Sequence, residues 1–153
     1  MSVFSSFGIN ASGLTAERFR MDIIAENIAN ANTTRTADGT PYVRKVVTFQ
    51  EKTKTGATFN SILASNQSRY NRYGGDGVKV GGVYKDTKSE MNMVYDPSHP
   101  DADENGYVLY PNVNTITEMT NLIDASRAYE ANSTAFSATK AIAVEGLQMG
   151  QNS

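Results

Sequence analysis

The chain has 153 residues, a formal net charge of −2, no cysteine and no tryptophan. That length allows one compact domain or two small ones. It excludes a disulfide framework and a thiolate zinc site, and its scattered Lys and Arg make no basic footprint for nucleic acid.

The first predicted element is a helix. Phe7, Leu14, Met21 and Ile28 recur every seven residues, with Ala11, Ile24 and Ala25 filling the stripe. Apolar residues at that period make a seam along a helix. Serines between positions 2 and 6 can cap its start. Gly8, Asn10 and Gly13 weaken its first turns, since Gly costs about 1 kcal/mol against Ala in a helix. Residues 14–28 are its firm part, and residues 30–34 (Asn-Ala-Asn-Thr-Thr) form a polar exit. Arg18 falls on the stripe, where it either lays its stem along the seam or pairs with a carboxylate of a neighbouring helix. The N-terminus has no basic region followed by an apolar run, so no cleavable secretory signal is expected. No apolar run approaches the ~20 residues that span a bilayer.

The middle reads differently. Asp38-Gly39 with Pro41 predicts a turn. Residues 42–49 and 77–84, rich in Val and Tyr, predict strands. Residues 51–75 are polar and read as a loop or small insertion. A short strand is expected at residues 91–95, a loop at 96–106 and an extended piece at 107–110.

The last element is a second long helix. Leu122, Tyr129, Phe136 and Ala143 recur every seven residues, flanked by Met119, Ile123, Ile142 and Leu147. Asn114 or Thr115 is the expected N-cap, and Thr115 with Glu118 fits a capping box. The fold class is therefore α+β: long N- and C-terminal helices in an antiparallel coiled-coil-like hairpin, with a small β-rich middle. Residues 1–32 and 113–153 form a discontinuous helical domain, and residues 33–112 the β-rich region with its loops. The expected register sets Ile28 by Leu122, Met21 by Tyr129, Leu14 by Phe136 and Phe7 by Ala143. Both stripes hold much Ala, Ser and Thr, so each seam is thin and burial shared with neighbouring chains is expected.

Chemistry is sparse. Asp101, Asp103, Asn105, Gly106 and Val108 match the start of a calcium-binding loop, but its last ligand position holds Asn112 where a bidentate Glu is needed. His99 is the only histidine and has no second His or Cys with which to share a metal. A loop histidine bonded to a backbone carbonyl is the plainer reading. Gly74-Gly-Asp-Gly77 lacks the Lys-Ser/Thr of a phosphate loop. No catalytic, cofactor-binding or metal-binding residue is assigned. Two other classes stay open on the residues alone: a binding module whose helices present the middle sheet, and an enzyme with a site in the 96–106 loop.

The words of the chain are more specific than its periodicity. Residues 12–33 (Ser-Gly-Leu-Thr-Ala-Glu-Arg-Phe-Arg-Met-Asp-Ile-Ile-Ala-Glu-Asn-Ile-Ala-Asn-Ala-Asn-Thr) closely resemble the N-terminal signature of bacterial flagellar axial proteins. Residues 34–42, 94–103, 106–108 and 111–114, then Glu118-Met119 and residues 125–132, resemble the flagellar basal-body rod family and its proximal-rod branch. The resemblance covers nearly the whole chain, least at residues 51–75. It implies a structural role without catalysis, in a rod that crosses the periplasm and carries torque. It implies as partners copies of the chain, other flagellar rod subunits and, during secretion, the flagellar type III export apparatus, with no small-molecule substrate, cofactor or nucleic acid. Assembly-interface candidates matching the signature are Leu14, Arg18, Met21, Asp22, Asn27, Asn30, Arg127, Tyr129, Glu130 and Asn132. The stripes add Ile24, Ile28, Met119, Leu122, Phe136, Ile142 and Leu147.

Overall fold

The computed structural model describes residues 3–52 and 76–151, so most of the predicted 51–75 insertion lies outside the described residues. Two long helices bracket a small β-rich middle, as the α+β reading expects. The order is α1 (Val3–Ala29), β1 (Lys45–Glu51), β2 (Val78–Lys85), β3 (Asn92–Tyr95), β4 (Tyr107–Tyr110) and α2 (Thr115–Gln151). β1 pairs with β2 and β3 with β4, in two separate two-stranded sheets. The β3–β4 pair is antiparallel, with Met93 opposite Leu109 and Tyr95 opposite Tyr107. No helix among the described residues is long and apolar enough to cross a membrane.

The chain divides into two compact units. One is built from the described parts of Met1–Glu17, Phe49–Val80 and Ala128–Ser153, the other from Arg18–Thr48 and Gly81–Arg127.

In the first unit α1 and α2 run antiparallel and close together. Phe7 meets Phe136 edge-on, with ring centroids 5.1 Å apart. Asn10 donates to Thr139 Oγ1 at 3.3 Å. A Cβ on Gly13 would stand 2.9 Å from Asn132 Oδ1, so a larger residue would force that side chain to shift. Gly13, expected to weaken α1, is thus where the Asn132 side chain of α2 fits. Two of these pairs differ from the expected partners, with Phe136 against Phe7 and Asn132 against Gly13, whereas Asn10 with Thr139 lies within one residue of the expected alignment. The Phe7–Phe136 contact and the fit of Asn132 over Gly13 together mark the stagger. Ser12 also ties α1 to the start of β2, its Oγ accepting the Val78 N–H at 3.0 Å. Gly77, at φ 101°, passes so close to Ser12 that a side chain there would collide with it.

The second unit holds the core. Ile24, Tyr42, Val108, Val113 and Ala125 are buried in it, together with the polar Asn27, Asn112 and Glu118. β1 begins at Lys45, three residues later than the Val/Tyr pattern suggests, because the N–H groups of Tyr42 and Arg44 are taken by Thr33 O and Asn112 Oδ1 rather than by a neighbouring strand. Asn114 is the N-cap of α2, its Oδ1 accepting the N–H groups of Ile116 at 3.0 Å and Thr117 at 3.1 Å. The expected capping box does not form: the Glu118 carboxylate points into the core instead.

Candidate functional site: a buried polar hub and the helix faces

Asn27, near the end of α1, is 1% exposed. Its Nδ2 donates to Lys45 O at 2.8 Å and its Oδ1 accepts Lys45 N–H at 2.9 Å. A strand neighbour would make the same two bonds, so the amide stands in for a missing strand at the start of β1. Its remaining donor goes to Glu118 Oε2 at 2.9 Å, and its remaining lone pair takes the Tyr42 hydroxyl at 2.9 Å. The whole capacity of the side chain is thereby used, as burial requires.

Glu118, in the first turn of α2, is also 1% exposed. Arg44 donates to its Oε1 through Nη2 at 2.7 Å and Nε at 3.0 Å, and Asn121 adds a bond at 3.2 Å. A helix N-terminus is a favourable place for that negative charge. Arg44 also faces Asp86 at 3.5 Å, and its backbone N–H donates to Asn112 Oδ1 at 2.9 Å. Asn112 in turn donates to the backbone oxygens of Asp86 and Ser89. Lys45 Nζ closes the edge on Glu26. Burial, with the Glu26 and Glu118 carboxylates adding to it, pushes the Tyr42 phenol up to about 12. The hub therefore joins the end of α1, the start of β1, the 86–89 turn and the start of α2.

The 96–106 loop does different work. Asp101 accepts from Thr34 Oγ1 at 2.8 Å and pairs with Arg35 at 3.5 Å. Asp103 Oδ1 instead closes a turn on the N–H groups of Asn105 and Tyr107. Asn112 is held in the hub, so the side chains of the calcium-loop pattern do not converge. His99 Nδ1 accepts the Asp101 N–H at 3.1 Å, which corrects the expected bond to a carbonyl. No group of three His, Asp or Glu side chains among the described residues could hold a metal ion.

The interface candidates separate by burial. Ile24 and Asn27 are inside the second unit. Leu14, Met21, Ile28, Asn30, Leu122, Asn132 and Phe136 are half-buried. Arg18, Asp22, Met119, Arg127, Tyr129, Glu130, Ile142 and Leu147 are exposed. Exposure reaches 65% at Ile142 and 69% at Leu147, high for aliphatic side chains. Tyr42, Arg44, Asp86 and Asn112 had no place among the candidates, and Glu118 only as a cap. A signal existed: Glu118 sits four residues before Leu122 and seven before Ala125, on the buried face of α2.

Two long helices, a polar hub at their base and apolar residues left in the open make a part for assembly. Residues 9–35 match the family described as Flagella basal body rod protein, and residues 104–149 the family described as Flagellar basal body rod FlgEFG protein C-terminal. The chain is 44% identical to the flagellar basal-body rod protein FlgC of Bacillus subtilis, over 99% of this chain and 100% of that one. The chain belongs to the FlgC family. The FlgC protein of Borreliella burgdorferi is 43% identical over 93% of each chain. That of Escherichia coli O157:H7 is 35% identical over 99% of this chain and 100% of its own. The two matched stretches cover most of α1 and, at the other end, β4 and most of α2.

Proposed function

We propose that this chain is a structural subunit of the bacterial flagellar basal-body rod, working by assembly rather than catalysis. The observation that carries this reading is end-to-end similarity to FlgC rod proteins of several bacteria. It is supported by α2, a 37-residue helix whose apolar Ile116, Met119, Ile123, Ile142 and Leu147 face outward in the single chain. Exposed aliphatic side chains in such number are costly in water and are covered when subunits pack. In this reading residues 1–32 and 113–153 form the axial domain that packs with copies of the chain and with other rod subunits. Residues 33–112 form the β-rich middle region. Ile24 and Asn27 serve assembly indirectly, by fixing the base of the helices. The subunit leaves the cytoplasm through the flagellar type III export apparatus and takes its place in the proximal rod, which carries torque across the periplasm.

The test is replacement of Ile142 by Asp. Because Ile142 is exposed, the variant folds as the parent does. Cells carrying it as their only copy should export the chain yet build no rod and not swim. Normal rods containing the variant would count against the assembly role of this face.

A further inference from the structure

The outer face of the β3–β4 sheet is open. Strand alternation puts Met93, Tyr95, Tyr107 and Leu109 on one face, while Val108 on the other is fully buried. Met93 is 63% and Tyr95 64% exposed, and the Tyr95 and Tyr107 rings pack edge-on at 5.2 Å. At about 200 Å² for a large side chain, these four leave roughly 400 Å² of contiguous apolar surface in water.

The segment that carries this face is acidic, although Arg35, held on Asp101, brings a cation beside Tyr107 and Leu109. Residues 89–114 contain five acidic residues and no Lys or Arg. Exposed Glu90 precedes β3, and exposed Asp103 and Glu104 lie in the connection to β4. The end of β2, in the same unit, has the opposite character. Val83, Tyr84, Lys85 and Lys88 are all exposed there. The intervening Asp86 is tied to Arg44 and Ser89, so the strip presents cations beside its apolar residues. Both surfaces are open in the single chain, so neither covers the other.

We propose that the acidic-rimmed β3–β4 face of one copy receives the basic Val83–Lys88 strip of a second copy. This rests on the rod reading and names a contact within it. The two surfaces are complementary but different, so the contact is head-to-tail and leads to an open array rather than a closed pair. The open apolar area is about half the ~800 Å² per partner of a stable complex, so it suits a contact repeated in a lattice. Apolar residues supply contact, and the charges set partner and orientation.

The chain has no cysteine, so a double variant, Val83→Cys with Tyr95→Cys, reports the contact directly. In basal bodies isolated from cells carrying only this variant, oxidation should link the chain to itself in dimers and longer ladders. Either single variant should give no ladder. Lys85→Glu should cut the yield of rods about tenfold, and adding Glu104→Lys should restore it, because like charges oppose docking and the swap re-pairs them. Intact rods with no chain-to-chain link, links only to a different rod protein, or a Lys85→Glu variant that assembles as the parent does would overturn the proposal. Normal rods in cells lacking the chain altogether would overturn the rod reading itself, so the two failures are distinguishable.

Discussion

Asn27 and Glu118 are polar side chains on the buried faces of two helices, and each is kept there by complete pairing. Glu118 holds Arg44, Asn27 and Asn121 at once. Replacing it with Ala takes an acceptor from Asn27 and Asn121 and leaves Arg44 only the Asp86 carboxylate at 3.5 Å. Removing one partner of a fully buried ion pair costs about 3–5 kcal/mol; Arg44 is a quarter exposed and keeps Asp86, so the loss should fall toward the lower end, which in a chain of this size lowers the melting temperature by roughly 10 °C. Urea unfolding of Glu118→Ala should show the loss, with Glu118→Gln milder; a change below about 1 kcal/mol would mean the hub is solvated. Tyr42 gives the hub a signature at alkaline pH. Its phenol ionises near 12 when folded, against an ordinary value of 10.0. A raised folded value means that the contribution of Tyr42 to stability is full below pH ~10 and is lost as pH climbs through 12. Absorbance titration should find one late tyrosine, absent in Tyr42→Phe. At the acid side, bonds from Ser89 and Ser98 hold Asp86 and Asp96 below the ordinary carboxylate value. Their small contributions are present above that value and fade as pH falls through the lowered ones.

Helix stagger is decided between elements. Two heptad stripes give a set of allowed alignments, and a thin seam of Ala, Ser and Thr discriminates poorly among them. Gly13 against Asn132 and Phe7 against Phe136 select the one observed. Cysteines at 13 and 132 should therefore oxidise within one subunit, since the space above Gly13 is filled by the Asn132 side chain and bridging needs close Cβ atoms. Cysteines at 14 and 136 should not. Efficient bridging of the second pair and none of the first would restore the heptad alignment. Phe136 is half-buried on Phe7, so Phe136→Ala should cost less in the monomer than the ~3–5 kcal/mol of a fully buried Phe. Its larger effect should fall on rod assembly, read as lost motility.

Across the whole molecule, burial is unequal. Ala16 is the only described residue of the first unit that is buried, whereas Ile24, Tyr42, Val108, Val113 and Ala125 line the second beside the polar hub. Local stability follows buried contacts. Hydrogen exchange of the monomer should be slow at residues 24–27, 45–48 and 108–125 and fast at residues 3–13 and 130–151. Isolated helix without a packed face is marginal in water, so those outer stretches should gain protection on assembly. Equal protection throughout a verified monomer would mean that the first unit is self-sufficient.

Element type and order were legible in the sequence because they depend on local periodicity. Seven-residue stripes give α1 and α2, Val- and Tyr-rich runs give β1 and β2, a short strand and an extended piece are expected where β3 and β4 lie, and Asp38-Gly39 with Pro41 marks the turn before β1. The family words at residues 12–33 and 94–103 were legible for the same reason, being contiguous. What joins distant residues was not. Asn27, Arg44 and Glu118 are separated by 74 and 91 positions in their bonded pairs, and no local pattern couples an Asn on one helix to a Glu on another. Glu118 looked like a cap because capping is a local rule; the fold supplied Arg44, and the carboxylate turned inward to it. The stagger of the helices likewise depends on which distant residues meet, Phe7 with Phe136 and Gly13 with Asn132. Local preference fixes what each segment becomes, whereas buried polar pairing and close packing fix where it stands, and those exist only once the chain has closed on itself.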